Sequence, residues 1–218
     1  AEDGMLTATR LGEVACRFSV RFPTVEGFIQ AEPPASLQQL LWLLAGAEDF
    51  ADFRPKQGEK QQLRSWAQPR AKKAAGEKVA GSCRWGFRGP IDTPAKKVMV
   101  LLQLTLGDSP RVQLPWDLRS QQAQILRRSE ALMRLIIELF ACRKQGRALA
   151  EALLLQKCLR KQLWDNTEMQ VRQLPQIGDV GAEQLQKQGL GSIAALAAGD
   201  PRYIELALNR RPLRKQLW

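Results

Sequence analysis

Apolar side chains recur at three- and four-residue intervals along most of the chain, the spacing of an amphipathic α-helix rather than a strand. Residues 5–20 carry Leu6, Leu11, Val14, Ala15 and Phe18 in this pattern. Pro23 fits the first turn of a second helix with Val25, Phe28 and Ile29, and Ser36 is a good N-cap for a third with Leu37, Leu40, Leu41, Leu43 and Leu44. A short helix is predicted from Glu59 to Trp66. Residues 67–93 break the pattern with Pro69, Gly76, Gly81, Gly86, Gly89 and Pro90, and they read as a long, partly mobile basic loop with a short extended piece at Cys83–Phe87.

The pattern resumes in residues 95–106 and is longest from about Asp117 to Gln145, where Ile125, Leu126, Leu132, Met133, Ile136, Ile137, Leu139 and Phe140 share one side. The opposite side carries Gln124, Arg127, Arg128, Ala131 and Arg134. Gly146 permits a turn into a further helix over 147–164. Residues 174–196 alternate glycine turns with short apolar helices in the manner of a helix-hairpin-helix, and a last helix over 201–208 precedes a basic tail. The predicted class is all-α: a helical bundle over 1–165, a helix-hairpin-helix over 166–211 and a tail over 212–218.

Charge changes this picture. The 218 residues hold 33 Lys and Arg against 22 Asp and Glu, a net charge of +11, with no histidine. Residues 1–53 are net −5, whereas 54–97 are net +9 and 98–218 net +7. A basic excess confined to part of a chain points to a polyanion, although a solubilising surface has the same composition. The four cysteines (Cys16, Cys83, Cys142, Cys158) form no CxxC pair, so a metal site is not expected and reduced thiols are. No run approaches the roughly 20 apolar residues of a membrane span. The N-terminal residues lack the regions of a signal peptide, and Ala1 stands where an initiator methionine would, as in a piece of a longer protein.

Catalytic signatures are missing. No GxxxxGK[ST] loop is present to cradle a triphosphate, and without histidine the usual general base and its triads are excluded. A hairpin followed by an aspartate is a glycosylase pattern, and Asp200 lies at about that distance from Gly181. Asp200 precedes Pro201, however, and reads as an N-cap. The expectation is a chain with no catalytic residue.

The stretch Leu11-Gly-Glu-Val-Ala-Cys-Arg-Phe-Ser-Val-Arg-Phe-Pro-Thr-Val resembles the opening helix of the Sec-sixty-three domain of Ski-two-like helicases. Phe50-Ala-Asp-Phe-Arg with Gly58-Glu-Lys, Pro94-Ala-Lys-Lys-Val with Leu101-Leu-Gln-Leu, and Lys157-Cys-Leu-Arg-Lys-Gln-Leu-Trp resemble the landmarks that follow, in order, across nearly the whole chain. The wording at Gly58-Glu-Lys and Trp164-Asp-Asn is most similar to the meiotic crossover helicases of the Mer-three type. The resemblance implies a nuclear, non-catalytic accessory region of an ATP-dependent DNA helicase, its ATP and magnesium held by motor domains of the same polypeptide outside this chain. It also implies that the long helix is the ratchet helix, touching the single strand that leaves the motor.

By position that helix offers Gln124, Arg127, Arg128 and Arg134. Relatives have Gly-Ser-Arg where this chain has Ser129-Glu130-Ala131, so the basic side chain expected at Ala131 is absent. Guanidiniums along two turns can meet successive phosphates or stack on an unpaired base, with salt-sensitive and sequence-tolerant binding. Backbone N–H groups at the Gly178, Val180 and Gly181 turn form a possible phosphate-binding hairpin, although Asp179 opposes an anion and such hairpins also serve only as packing units. The tryptophans read mostly as core or interface residues. Two alternatives stay open: a protein-interaction scaffold docking a motor or partner protein, and the same module in an RNA helicase.

Overall fold

The structure, a computed structural model, describes residues 7–18, 20–68, 83–107, 113–167 and 169–208. Residues 69–82 of the expected basic loop and the tail beyond Leu208 lie outside this set. Among the described residues the regular elements are helical, so the chain is all-α as its apolar spacing predicts. The helices are α1 (Arg10–Arg17), α2 (Phe22–Gln30), α3 (Leu37–Ala45), α4 (Lys60–Trp66), α5 (Pro94–Leu106), α6 (Trp116–Cys142), α7 (Gly146–Lys161), α8 (Asp179–Lys187), α9 (Ile193–Ala198) and α10 (Pro201–Ala207). Short 3-10 turns occupy Glu48–Phe50, Gln57–Glu59 and Gln170–Gln173.

Caps explain most boundaries. Ser36 and Asp200 accept the N–H groups of Gln39 and Arg202 at 3.3 and 2.9 Å, the roles expected of them. The first helix is shorter than its apolar pattern, because Thr9 accepts the Gly12 N–H at 3.1 Å and starts α1 there. At the other end of the bundle α7 stops at Lys161, three residues early, where Gln162 adopts a positive φ of 51°.

Two compact units result: residues 1–107 with 111–160, and residues 108–110 with 161–218. The first is organised around α5, which packs against α3, α4 and α6. Val98 to Leu102 of α5 are all buried, and so are two of its polar side chains, Lys97 and Gln103. Gln103 acts as a backbone surrogate: its Oε1 accepts the Trp85 N–H at 2.8 Å and its Nε2 donates to the Trp85 carbonyl at 3.1 Å. This pins the segment expected to be extended, while Phe87 packs on Trp42 with ring centroids 5.3 Å apart. Cys83 at its start is buried, and desolvation pushes its thiol up to about 12, leaving it protonated and unreactive.

Lys97 has no exposed side-chain surface, and its Nζ donates to Glu59 Oε2. Glu59 also accepts the Lys56 N–H at 3.1 Å and a longer contact from Gln121 Nε2 at 3.5 Å. One carboxylate therefore joins the start of α4, the middle of the core helix and the long helix α6.

The turn from α6 to α7 is a Schellman motif: Gln145 N–H donates to Phe140 O at 2.9 Å and Lys144 N–H to Ala141 O at 3.1 Å. Lys144 holds the left-handed position that glycine favours, at φ 55°. Lys144→Gly is expected to stabilise the fold by about 0.5 kcal/mol, the relief of left-handed strain exceeding the added freedom of the unfolded chain. Urea unfolding of the two proteins checks it.

In the second unit Met169, Val171, Ile177, Ala182, Leu185, Leu196 and Ile204 form a small core, with α8 packed against α10 and the 3-10 turn. A second Schellman motif ends α8, with Leu190 N–H on Leu185 O at 2.8 Å and Gly189 at φ 77°.

Candidate nucleic-acid interface

The long helix α6 buries Leu118, Ile125, Leu132, Met133, Leu135, Ile136, Leu139 and Phe140, packing against α1, α3 and α5. At about 100° per residue, six exposed side chains fall in one narrow stripe, Trp116, Arg119, Ala123, Arg127, Glu130 and Arg134, while exposed Asp117 stands off it. All six are exposed, and Gln124 is exposed at the edge of the stripe. Among the described residues, the side chains of Arg119, Arg127 and Arg134 make no hydrogen bond or ion pair. Glu130 interrupts the stripe with one carboxylate, so its net charge is +2.

Arg128 stands elsewhere, about 100° round the helix from Arg127. Its Nη1 donates to the Asp49 carbonyl at 2.7 Å and lies 3.7 Å from Asp52 Oδ2, and its guanidinium sits 5.1 Å from the Phe53 ring centroid. Asp52 is shared with Arg21 at 3.3 Å, and Asp49 Oδ2 accepts the Thr24 hydroxyl at 2.6 Å. Arg128 therefore binds α6 to the Glu48–Phe50 turn and the start of α2. Ala131 lies beside it, lining a cleft of about 350 Å³ with Phe18, Val20, Arg21, Asp49, Arg128 and Leu132. Arg128→Ala is expected to cost about 2 kcal/mol, since it strips a charged donor from a carbonyl and removes a cation–π contact. Thermal unfolding followed by circular dichroism checks this.

The candidate positions on α6 thus separate. Gln124, Arg127 and Arg134 project from the surface, and Arg128 is occupied within the fold. Sequence spacing missed Arg119 and Trp116, which share the stripe. The helix expected from about Asp117 already held Arg119 and stopped one residue short of Trp116, so carrying the wheel back from Gln124 to its start would have found both.

At the start of α8, Gly178 is the N-cap without a side-chain bond, and Val180 is 71% exposed. Asp179 is met by Arg172, whose Nε lies 3.2 Å from Oδ1 and whose side chain is only 8% exposed. Gly181 faces α10, where a Cβ would come within 3.0 Å of Leu208 Cδ2. Close packing explains that glycine without a ligand.

Among the described residues no group of three His, Cys, Asp or Glu could hold a metal ion, and no helix is long and apolar enough to cross a membrane.

Residues 8–210 match the family profile of the Sec63 Brl domain. The chain is 29% identical over 205 residues to the probable ATP-dependent DNA helicase HFM1 of Homo sapiens, covering 94% of this chain and 14% of that protein. It is 25% identical to the ATP-dependent DNA helicase MER3 homolog of Oryza sativa subsp. japonica, covering 96% of this chain and 17% of that protein. Similarity to the ATP-dependent DNA helicase homolog MER3 of Arabidopsis thaliana is 29% identity, covering 92% and 17%. The chain thus spans less than a fifth of the length of these relatives.

Proposed function

Because the chain belongs to the Sec63 Brl domain family, we propose that it is the non-catalytic accessory region of a longer, nuclear ATP-dependent DNA helicase. In this reading the exposed stripe of α6 guides the single strand leaving the motor. ATP and magnesium belong to the motor, and the relatives named as helicases contain far more chain than this one. The observation that carries the reading is the row of guanidiniums at Arg119, Arg127 and Arg134, unpaired among the described residues, on one exposed face of a helix whose opposite face is buried. Guanidiniums with no internal partner are available to phosphates, and such contacts carry little sequence preference. Gln124 adds a neutral hydrogen-bonding group beside them. Arg128 acts indirectly, holding α6 against the bundle, and Gly178, Val180 and Gly181 carry no part of the reading.

Fluorescence anisotropy of a labelled single-stranded DNA, titrated with this chain and with its Arg119→Glu, Arg127→Glu, Arg134→Glu variant, tests the assignment. Salt-sensitive binding lost in the variant supports it. Binding indifferent to these three positions overturns it, and cross-links from α6 to protein alone would favour a docking scaffold. An RNA strand of the same sequence, titrated in parallel, decides between the two nucleic acids.

A further inference from the structure

The described residues between 54 and 97 carry a second basic surface, built without α6. Their acids are Glu59 and Asp92, and both are engaged within the fold. Glu59 is held by buried Lys97, and Asp92 by Lys96, whose Nζ lies 2.6 Å from Oδ1. Lys60, Arg64 and Arg88 are all exposed, and among the described residues their side chains make no hydrogen bond or ion pair. The charge left over on this surface is therefore positive.

Local geometry brings these three cations together. Lys60 and Arg64 stand four residues apart on α4, so they share one flank of it, about 6 Å apart along the axis. The chain later returns along the same helix. The Phe87 N–H donates at 3.2 Å to the carbonyl of Ala67, which ends α4. Asp92 lies near Lys60 at the other end: the Lys96 hydrogen bond first, and then the Lys96 and Lys60 charges, hold its carboxyl below its ordinary value. Arg88 follows Phe87 on this returning stretch and so joins the flank of Lys60 and Arg64. The stretch is fixed at several points. Gln103 bonds Trp85 at 2.8 and 3.1 Å, Trp42 packs on Phe87, and Lys96 Nζ donates to the Pro90 carbonyl at 3.1 Å.

The partner such a surface fits follows from what it does not expose. Trp42, Trp66, Trp85 and Phe87 are each partly buried, and no large apolar side chain stands exposed on it among the described residues. It therefore offers neither a free ring for an unpaired base nor an aromatic anchor for a protein. Fixed cations without a π-face suit a ligand recognised by backbone charge alone. A duplex keeps its bases stacked inside and presents one negative charge per roughly 1.7 Å of axis. Glu59 meets α6 through Gln121, about 120° round that helix from Arg127, so α4 adjoins α6 away from the stripe.

We infer that the flank of α4, with residues 87–92, binds the phosphate backbone of a DNA duplex through Lys60, Arg64 and Arg88. Such contacts position a duplex without reading its sequence. The inference uses none of the residues of the strand-guiding reading and stands apart from it.

A labelled DNA duplex and a labelled single strand are titrated with this chain, with its Lys60→Gln, Arg64→Gln, Arg88→Gln variant, and with the charge-reversed α6 variant. The glutamine variant is expected to bind the duplex at least about tenfold more weakly at low salt, with a logarithmic salt slope shallower by roughly 2.7, three counterions at about 0.9 each. Its affinity for the single strand and its thermal unfolding stay those of the parent, while the α6 variant keeps its duplex binding. Duplex binding unchanged in the glutamine variant overturns the inference, and so does equal loss on duplex and single strand. Polyglutamate bound by the parent as tightly as the duplex, and lost in the glutamine variant, also overturns it in favour of an acidic protein segment. A parent chain that binds the single strand but no duplex removes this inference alone. One that binds the duplex but no single strand removes the strand-guiding reading alone.

Discussion

Lys97→Met is expected to lower the unfolding free energy by about 3 kcal/mol, and Glu59→Gln by about as much or more. Lys97 is wholly buried and Glu59 nearly so, with side-chain exposures of 0% and 12%. Removing the carboxylate charge leaves an ammonium in the core beside a neutral amide. Removing the ammonium leaves a carboxylate with only the Lys56 N–H and the long Gln121 contact. A Met at position 97 fills similar volume without charge, so the double variant is expected to recover much of the loss, giving a coupling energy of about 2 kcal/mol in a double-mutant cycle. Chemical unfolding of the four proteins measures it, and single variants costing under about 1 kcal/mol would show that the pair is dispensable.

The pair also sets a pH dependence. Burial acts to raise the Glu59 carboxyl, but hydrogen bonds from Lys97 and the Lys56 backbone, with the Lys97 charge, outweigh it and hold the group below its ordinary value of 4.5. A depressed carboxyl contributes stability that is complete above its unfolded value and lost as pH falls through the folded one. The contribution should therefore be steady at neutral pH and disappear on acidification below about 4.5, and the Glu59→Gln variant should lack that acid-sensitive component.

The second large effect is on binding. Reversing Arg119, Arg127 and Arg134 replaces three positive charges by three negative ones on an exposed face, so the fold is spared and a polyanion is repelled. Affinity for single-stranded DNA at low salt is expected to fall at least 100-fold, with the logarithmic salt slope shallower by about 2, the release of roughly three counterions at 0.7 each. Arg128 must be left intact in this experiment. Its reversal would place a carboxylate against the Asp49 carbonyl and Asp52, and loss of binding would then report loss of structure. A variant that keeps the parent's slope would place any nucleic-acid contact off α6.

Several sequence landmarks acquire a physical meaning from this arrangement. Gly58-Glu-Lys and Pro94-Ala-Lys-Lys-Val lie far apart in the chain, and both suggested a family before they suggested a contact. The structure joins them through Glu59 and Lys97. Phe50-Ala-Asp-Phe-Arg supplies Asp52 and Phe53 to Arg128, so that landmark belongs to the seating of α6. The resemblance was carried largely by residues that build the bundle.

Helix identity was legible because it depends on local periodicity, and caps such as Ser36 and Asp200 act within three residues of where they stand. Family membership and the basic character of α6 were legible for the same reason. Which arginine is free was not. Arg127 and Arg128 are chemically identical neighbours, and only the placing of the segment from Asp49 to Phe53 beside α6 gives one of them a carbonyl, a carboxylate and a ring to occupy it. Burial of Lys97 and exposure of Trp116 likewise run against side-chain preference. Apolar periodicity decided that the chain would fold as helices, and composition decided its excess of positive charge. Tertiary contact decided where that charge is spent internally and where it faces solvent, because pairing joins residues such as Arg128 and Asp49, 79 positions apart, that no local window contains.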